Sequence, residues 1–239
     1  MSSTTSIPLP SYKADFLKAC TNSPALSFGS YTLKSGRQSP YFFNIGVFHK
    51  ASLLNALSLA FAHTIANHSD PEPLEFDVLF GPAYKGIPLA TTALDKLATL
   101  DEKRFGEISY SFNRKEVKTH GDGGSLVGST LKGKRVLIID DVMTAGTAVK
   151  EAVEIIEKEG GKLVGIVIAM DRQEKAPSKE GDSDDTPRPS TVGEVRKRYG
   201  VPVIAVLTLN DIIEGYKAIG TEEQVRALEE YRQKYKPTE

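Results

Sequence analysis

The stretch that decides the fold is Arg135-Val136-Leu137-Ile138-Ile139-Asp140-Asp141-Val142-Met143-Thr144-Ala145-Gly146-Thr147-Ala148. Four consecutive apolar residues, mostly β-branched, read as a strand buried on both faces, and two adjacent carboxylates end the run. Beyond a short loop of small hydroxyl residues and glycine, Val149, Val153 and Ile156 recur at helical spacing, predicting a helix over Ala148–Glu159. Parallel α/β sheets place their chemistry at such strand ends. The loop Thr144-Ala145-Gly146-Thr147 can turn backbone N–H groups and two hydroxyls inward at a helix N-terminus, which favours a phosphate monoester. Asp140 and Asp141 are placed to accept hydrogen bonds from vicinal sugar hydroxyls, or to hold a metal through water. The combination describes a ribose carrying a phosphate. Helix capping would explain a single Asp equally well, but not the full succession of strand, acid pair, loop and helix.

Composition narrows the class of partner. The 239 residues suit one domain, read here as spanning 1–239, long enough to bury a real core. A formal net charge of −1 and a pI of about 6.5 give no global field for nucleic acid or an anionic membrane, so neither is expected as a partner. Phosphate binding then has to come from a local basic patch. Cys20 is the single cysteine and cannot form an internal disulfide, and no C-x-x-C or His/Cys cluster suggests zinc. Met1 to Pro10 lacks a basic stretch followed by an apolar one, and no run is long enough to span a bilayer. The expectation is a cytoplasmic protein, which makes the glycosylation-like Asn67-His68-Ser69 a chance match.

Working outward, a helix is predicted near Tyr12–Ala19 and a strand over Ala25–Leu33, forming a small hood, about residues 1–50, over the main sheet. Lys34-Ser35-Gly36-Arg37 is a turn by composition, and Pro40–Ile45 resumes an extended aromatic segment in which at least one of Tyr41, Phe42 and Phe43 belongs to the core. A strong amphipathic helix covers Ala51–Asn67. Phe76–Phe80 is a buried strand ending at Gly81-Pro82. The loop Tyr84-Lys85-Gly86 follows it, and Lys85 there offers a compact charge suited to a diphosphate. A helix over Ile87–Ala98 leads to a β-like run, Gly106–Phe112. From Asn113 to Gly128 the chain is basic and then glycine-rich, carrying Arg114, Lys115, Lys118 and His120, a composition that reads as a closing lid over a polyphosphate. Gly128–Arg135 mimics a Walker A motif, but Arg135 stands at the Ser/Thr position and the segment precedes its strand, which excludes an ATPase.

Lys162–Met170 is another apolar strand, and Arg172 just beyond it shares the sheet edge with Asp140, where it could pair bidentately with a carboxylate. Gln173–Ser190 is charged, proline-bearing and poor in apolar residues, and reads as a surface insertion without assignable structure. A helix at Val192–Tyr199, a strand at Pro202–Leu209, a short helix at Asn210–Ile219 and a terminal helix to about Tyr235 complete the pattern. The class is α/β, a mainly parallel five-stranded sheet with helices on both faces and the N-terminal hood.

The segment Val136–Ala148 resembles the fingerprint of the type I phosphoribosyltransferases, which hold 5-phosphoribosyl-1-diphosphate (PRPP). Three further stretches, Leu33–Asn44, Gly81–Pro88 and Asn113–Gly121, are similar in order and spacing to the orotate phosphoribosyltransferase family, and the match runs from about Phe16 to about Ile213. The resemblance implies Mg²⁺-dependent transfer of phosphoribosyl from PRPP to orotate, giving orotidine 5′-monophosphate and diphosphate. It assigns Thr144, Ala145, Gly146, Thr147 and Ala148 to the 5-phosphate, and Asp140 and Asp141 to the ribose hydroxyls. Lys34, Tyr84, Lys85, Arg114, Lys115, Lys118 and His120 go to the rest of PRPP, and Lys34, Phe42, Phe43, Thr144 and Arg172 to orotate. Lys118, Lys85, Asp140 and Asp141 are the residues it makes catalytic. Protein ligands to magnesium are expected to be few, the ion being held mainly by substrate and water. The resemblance also implies a homodimer whose lids close over the neighbouring subunit's site. The alternatives are a phosphoribosyltransferase for another base, and a PRPP-sensing regulator that keeps the site without catalysis.

Overall fold

The computed structural model describes residues 9–118, 124–178 and 183–238, without the side chains of 117, 118 and 124. In chain order the elements are α1 (Ser11–Thr21), β1 (Leu26–Thr32), β2 (Gln38–Phe43), α2 (Ala51–Ala66), β3 (Val78–Phe80), α3 (Gly86–Leu100), the single turn α4 (Glu102–Phe105), β4 (Ser109–Lys118), β5 (Gly124–Gly128), β6 (Arg135–Val142), α5 (Thr147–Lys158), β7 (Lys162–Asp171), α6 (Thr191–Tyr199), β8 (Val203–Thr208), α7 (Leu209–Ile219) and α8 (Glu222–Tyr235).

The main sheet has the order β5-β4-β3-β6-β7-β8. Its neighbours are parallel from β4 to β8, the five strands read from the sequence, while β5 returns antiparallel beside β4 as a sixth. The extra strand lies in the stretch read as a closing lid, for which no strand was predicted. Its ladder is made by backbone groups, pairing Ser111 with Gly128 and Asn113 with Leu126, and an edge hairpin of this kind does not need the apolar alternation by which strands are recognised.

The apolar run of β6 needs two layers of cover, and it has them. Val136 and Ile138 face one core with Val149, Val153 and Ile156 of α5 and Val192 and Val195 of α6, whereas Leu137 and Ile139 face the other, with residues of α2, α3 and α7. All four are without solvent exposure, as expected of a strand in the middle of a sheet covered on both faces. Helix starts are set locally. Thr208 with Asp211, and Thr221 with Gln224, form reciprocal capping boxes on α7 and α8.

The hood is the antiparallel pair β1–β2 with α1 beneath it. It is bound to the main body through Phe28 against Tyr216 of α7, ring centroids 4.6 Å apart, and through the ion pair of Lys13 with Asp211 at 2.8 Å. The charged 173–190 segment differs from its sequence reading. Its described part is folded back, with Lys175 bridged to Ser190, Ala176 N–H donating to Pro189 O, and a salt bridge from Asp184 to Arg37 of the hood turn. The structure here comes from ion pairing at long sequence separation, which apolar content does not register.

Candidate active site

In a parallel sheet every strand delivers its C-terminal end to the same edge, and that edge gathers the predicted site. After β3 the chain turns so tightly that a Cβ on Gly81 would lie 2.1 Å from Gly86 O, and one on Gly86 would lie 2.6 Å from the Gly81 carbonyl carbon. Only glycine fits either place. Ala83 N–H donates to Asn113 Oδ1 of β4 (2.9 Å), the Ala83–Tyr84 peptide is cis, and Tyr84 is largely exposed. From this turn Lys85 reaches across the edge to β6, its Nζ 2.6 Å from Asp141 Oδ2.

The two carboxylates of β6 are treated unequally. Each accepts the next residue's backbone N–H, Asp140 Oδ1 from Asp141 and Asp141 Oδ1 from Val142, both at 2.8 Å. Asp141 alone is paired with the lysine. Burial, and next the charge of Asp141, push the Asp140 carboxyl up to about 6 from an ordinary 3.8. Lys85 and the backbone N–H of Asp141 act in the opposite sense and do not cancel the rise.

Beyond them, Gly146 adopts the left-handed conformation (φ 73°) and α5 starts with no side-chain cap, so no side chain of the helix start competes for its first N–H groups. A phosphate would take that place, favoured by the helix end. Thr191, at the start of α6, fixes the loop from behind by donating its hydroxyl to Thr144 O at 2.7 Å.

A cavity of about 650 Å³ opens at this edge, walled by Lys34, Phe42 and Phe43 from the hood, by Lys85, Asp141, Thr144 and Ala145, and by Arg172, Gln173 and Glu174 beyond β7. Alternation along β2 divides its three aromatics as a pleated strand requires: Tyr41 is buried, Phe42 is 41% exposed on the opposite side, and Phe43 is nearly buried again. A flat apolar wall and polar groups thus meet in one space. Asp140, Gly146, Thr147 and Ala148 belong to the adjoining strand end and helix start without walling the cavity. Tyr84, Arg114 and Lys115 line a second hollow of about 340 Å³ on the β4 side. Arg114 Nε is buried with no hydrogen-bond partner among the described residues, and Lys115 Nζ lies 3.8 Å from Glu151 of α5. The backbone of Lys118 ends β4, its side chain falls outside the described set, and His120 lies outside the described residues.

Arg172 stands where the sequence placed it, but it is not a bare cation. Nε is paired with Glu174 Oε1 at 2.5 Å, Nη2 donates to Ser39 Oγ (3.1 Å) and the Tyr231 hydroxyl (3.2 Å), and the guanidinium lies 4.3 Å from the centre of the Tyr41 ring. Nη1 makes no hydrogen bond among the described residues, so a ligand carboxylate would meet that end and not an open fork. Sequence reasoning missed Ser39, Glu174, Thr191 and Tyr231. Tyr231 in particular lies on the terminal helix, and no local pattern relates it to a site residue 59 positions away.

The doubly wound sheet with paired acids, a phosphate-sized loop and a helix start defines the phosphoribosyltransferase class, and the family model described as "Phosphoribosyl transferase domain" matches residues 51–194. Among curated relatives, orotate phosphoribosyltransferase of Neurospora crassa is 58% identical over 97% of this chain and 99% of its own length, and orotate phosphoribosyltransferase 2 of Saccharomyces cerevisiae is 48% identical over 98% of each. The crystal structure of orotate phosphoribosyltransferase from Francisella tularensis superimposes with a TM-score of 0.76 at 37% identity, covering 92% of this chain and 95% of the other. The chain belongs to the orotate phosphoribosyltransferase family.

The unequal acids have a consequence for stability. The Asp140 pKa is higher in the folded chain than in the unfolded one, so ionisation disfavours folding, and stability is lost as pH rises from about 4 through about 6. Asp140→Asn is therefore expected to stabilise the ligand-free protein by about 2 kcal/mol at pH 7.5, with little gain at pH 4, while lowering activity. Urea denaturation of both proteins at the two pH values checks this, and an unchanged or lower midpoint for the variant at pH 7.5 would contradict it.

Proposed function

We propose that the protein transfers the phosphoribosyl group of PRPP to orotate, releasing diphosphate and orotidine 5′-monophosphate in pyrimidine biosynthesis. The observation that carries this reading is one edge cavity with Lys85, Asp141, Thr144 and Ala145 on one side, next to Asp140 and the start of α5, and Phe42 and Arg172 on the other. Ribose C1 develops oxocarbenium character as diphosphate leaves, so the site has to hold the two reactants in line and meet negative charge on the leaving group. The helix start at Gly146–Ala148 takes the 5-phosphate. Asp140 and Asp141 accept the ribose hydroxyls, and Lys85, released from Asp141, turns toward the diphosphate. Arg114 and Lys115, with Lys118 and His120 from the lid, meet the same charge. Phe42 stacks on the flat base and Phe43 lines its pocket, while Lys34 and Arg172 Nη1 receive its polar edge and carboxylate.

Mg²⁺ suits this donor set. Among the described residues no cluster of three or more His, Cys, Asp or Glu is placed to hold a metal, but the paired carboxylates offer hard oxygen donors able to bind a hydrated ion together with substrate phosphates. When bound, the ion neutralises charge on the departing diphosphate. The setting proposed is cytoplasmic, in keeping with one buried free cysteine, and no described helix is long and apolar enough to cross a membrane.

The direct test is spectrophotometric: orotate absorbance is expected to fall on adding PRPP and Mg²⁺. Uracil, which lacks the carboxylate, should be used roughly 100-fold less efficiently because Arg172 Nη1 is then left unsatisfied. Equal turnover of uracil, hypoxanthine or adenine would contradict the assignment, and PRPP binding without turnover of any base would favour a sensor.

The family resemblance supports a homodimer with shared lids. Lys118→Ala has an intact pocket and a defective lid, and Arg172→Ala the reverse. At orotate concentrations far below the KM of Arg172→Ala each alone should be nearly inactive, while co-refolding equal amounts should restore about a quarter of wild-type activity, since half the dimers are mixed and each of those has one whole site. No gain over the average of the two, with mixed dimers demonstrated, would rule out sharing.

A further inference from the structure

We infer that Glu174 is a positioning residue for Arg172, and that the described part of the charged segment following it, clamped by Arg37, forms a wall of the base pocket through Lys175, Pro177 and Ser190. The inference rests on the reading of that pocket as the orotate site. Glu174 is the junction of the network. Its Oε1 accepts from Arg172 Nε (2.5 Å) and from the Tyr231 hydroxyl (2.8 Å), and its Oε2 accepts from Arg37 Nη1 (3.2 Å). The side chain of Glu174 is only 12% exposed, and that of Arg37 only 4%. Arg37 in turn has every donor engaged: Nε and Nη2 on the Asp184 carboxylate, Nη2 also on Ala176 O, and Nη1 on Lys175 O as well as on Glu174. Arg188 closes the circuit from the far side onto Asp184 (2.9 Å).

Two consequences follow. Arg172 has Nε and Nη2 tied down, so a single orientation is imposed on it and Nη1 is the end left for a ligand. The five linked groups, three arginines against Glu174 and Asp184, carry a summed charge of +1, which matches one carboxylate. With Glu174 neutralised, Arg172 would lose both its fixed direction and the partner that keeps it buried. A glutamine has the same shape, but its amide would present N–H donors to positions already ringed by donors from Arg37, Arg172 and Tyr231.

The test is a double-mutant cycle in initial-rate kinetics with Arg172→Ala and Glu174→Gln. Expected for Glu174→Gln is an orotate KM raised roughly tenfold, with PRPP KM unchanged within about twofold, and no further rise when it is added to Arg172→Ala. A structural role would weaken PRPP and orotate alike and persist in the Arg172→Ala background, and that result, or no change at all, would overturn the inference. Arg172→Ala with an unchanged orotate KM would instead overturn the pocket reading, and the positioning role with it. If Glu174→Gln fails to fold, Arg37→Lys, which loses the fork, carries the same test: orotate KM is expected to rise at least about threefold with PRPP KM unchanged, and a rise in both, or in neither, would overturn it.

Discussion

Two like charges at the end of a fully buried strand are the constraint around which this protein is built. Asp140 and Asp141 follow four residues without solvent contact, and successive strand residues point to opposite faces, so the Lys85 ammonium pairs directly with Asp141 alone. The fold supplies Lys85 to one of them and leaves the other in a poorly solvated place with only a backbone N–H. An empty site of this kind is destabilised by its own charge, and a ligand that brings hydroxyl donors to Asp140 relieves it.

Parallel topology explains how groups far apart in sequence share that edge. Lys85 follows β3, Arg114 and Lys115 lie on β4, the acid pair ends β6 and Arg172 follows β7. The end of β8 has a different employment: Thr208 caps α7, and Asp211 answers both the Thr208 N–H and Lys13 of the hood. One corner of the edge is structural, and it holds the hood over the chemistry. Further attachments of the hood, beside Phe28 on Tyr216, run through the charged wall, Arg37 to Glu174 and Asp184, so the ion pairs that order the wall also hold β2, with Phe42 and Phe43, at the cavity that Arg172 lines.

Legibility in the sequence followed the range of the interactions. Helix α5 was readable to within a residue at each end and β6 to within a residue at its start, because burial on two faces and helical spacing leave local marks; β6 runs on through both acids to Val142, three residues beyond the apolar run. Of the residues that wall the cavity, Lys34, Phe42, Phe43, Lys85, Asp141, Thr144, Ala145 and Arg172 were legible in the sequence, several of them through family resemblance more than through spacing, whereas Arg37, Gln173, Glu174 and Thr191 were not. Strand β5 was not, since an edge hairpin built on backbone pairing tolerates glycine and charge. The order of the described parts of the charged segment, 173–178 and 183–190, was invisible for a different reason: it depends on Arg37, 147 positions from Asp184, and low apolar content is a sign of disorder only where ion pairs do not replace the missing burial. Arg172 lay between these cases. Its place at the sheet edge was evident, but its partners come from β2, α8 and the wall, and they turn a bare cation into a held one.

Carboxyl-carbon NMR of aspartate-labelled protein, with Asp140→Asn to assign the resonance, tests most directly whether the site holds a strained charge for its ligand. Expected is one aspartate titrating near pH 6 in the free protein, falling by at least about one unit when ribose 5-phosphate saturates the site. An Asp140 that titrates near pH 4 in the free protein, or one that does not respond to the sugar phosphate, would contradict it.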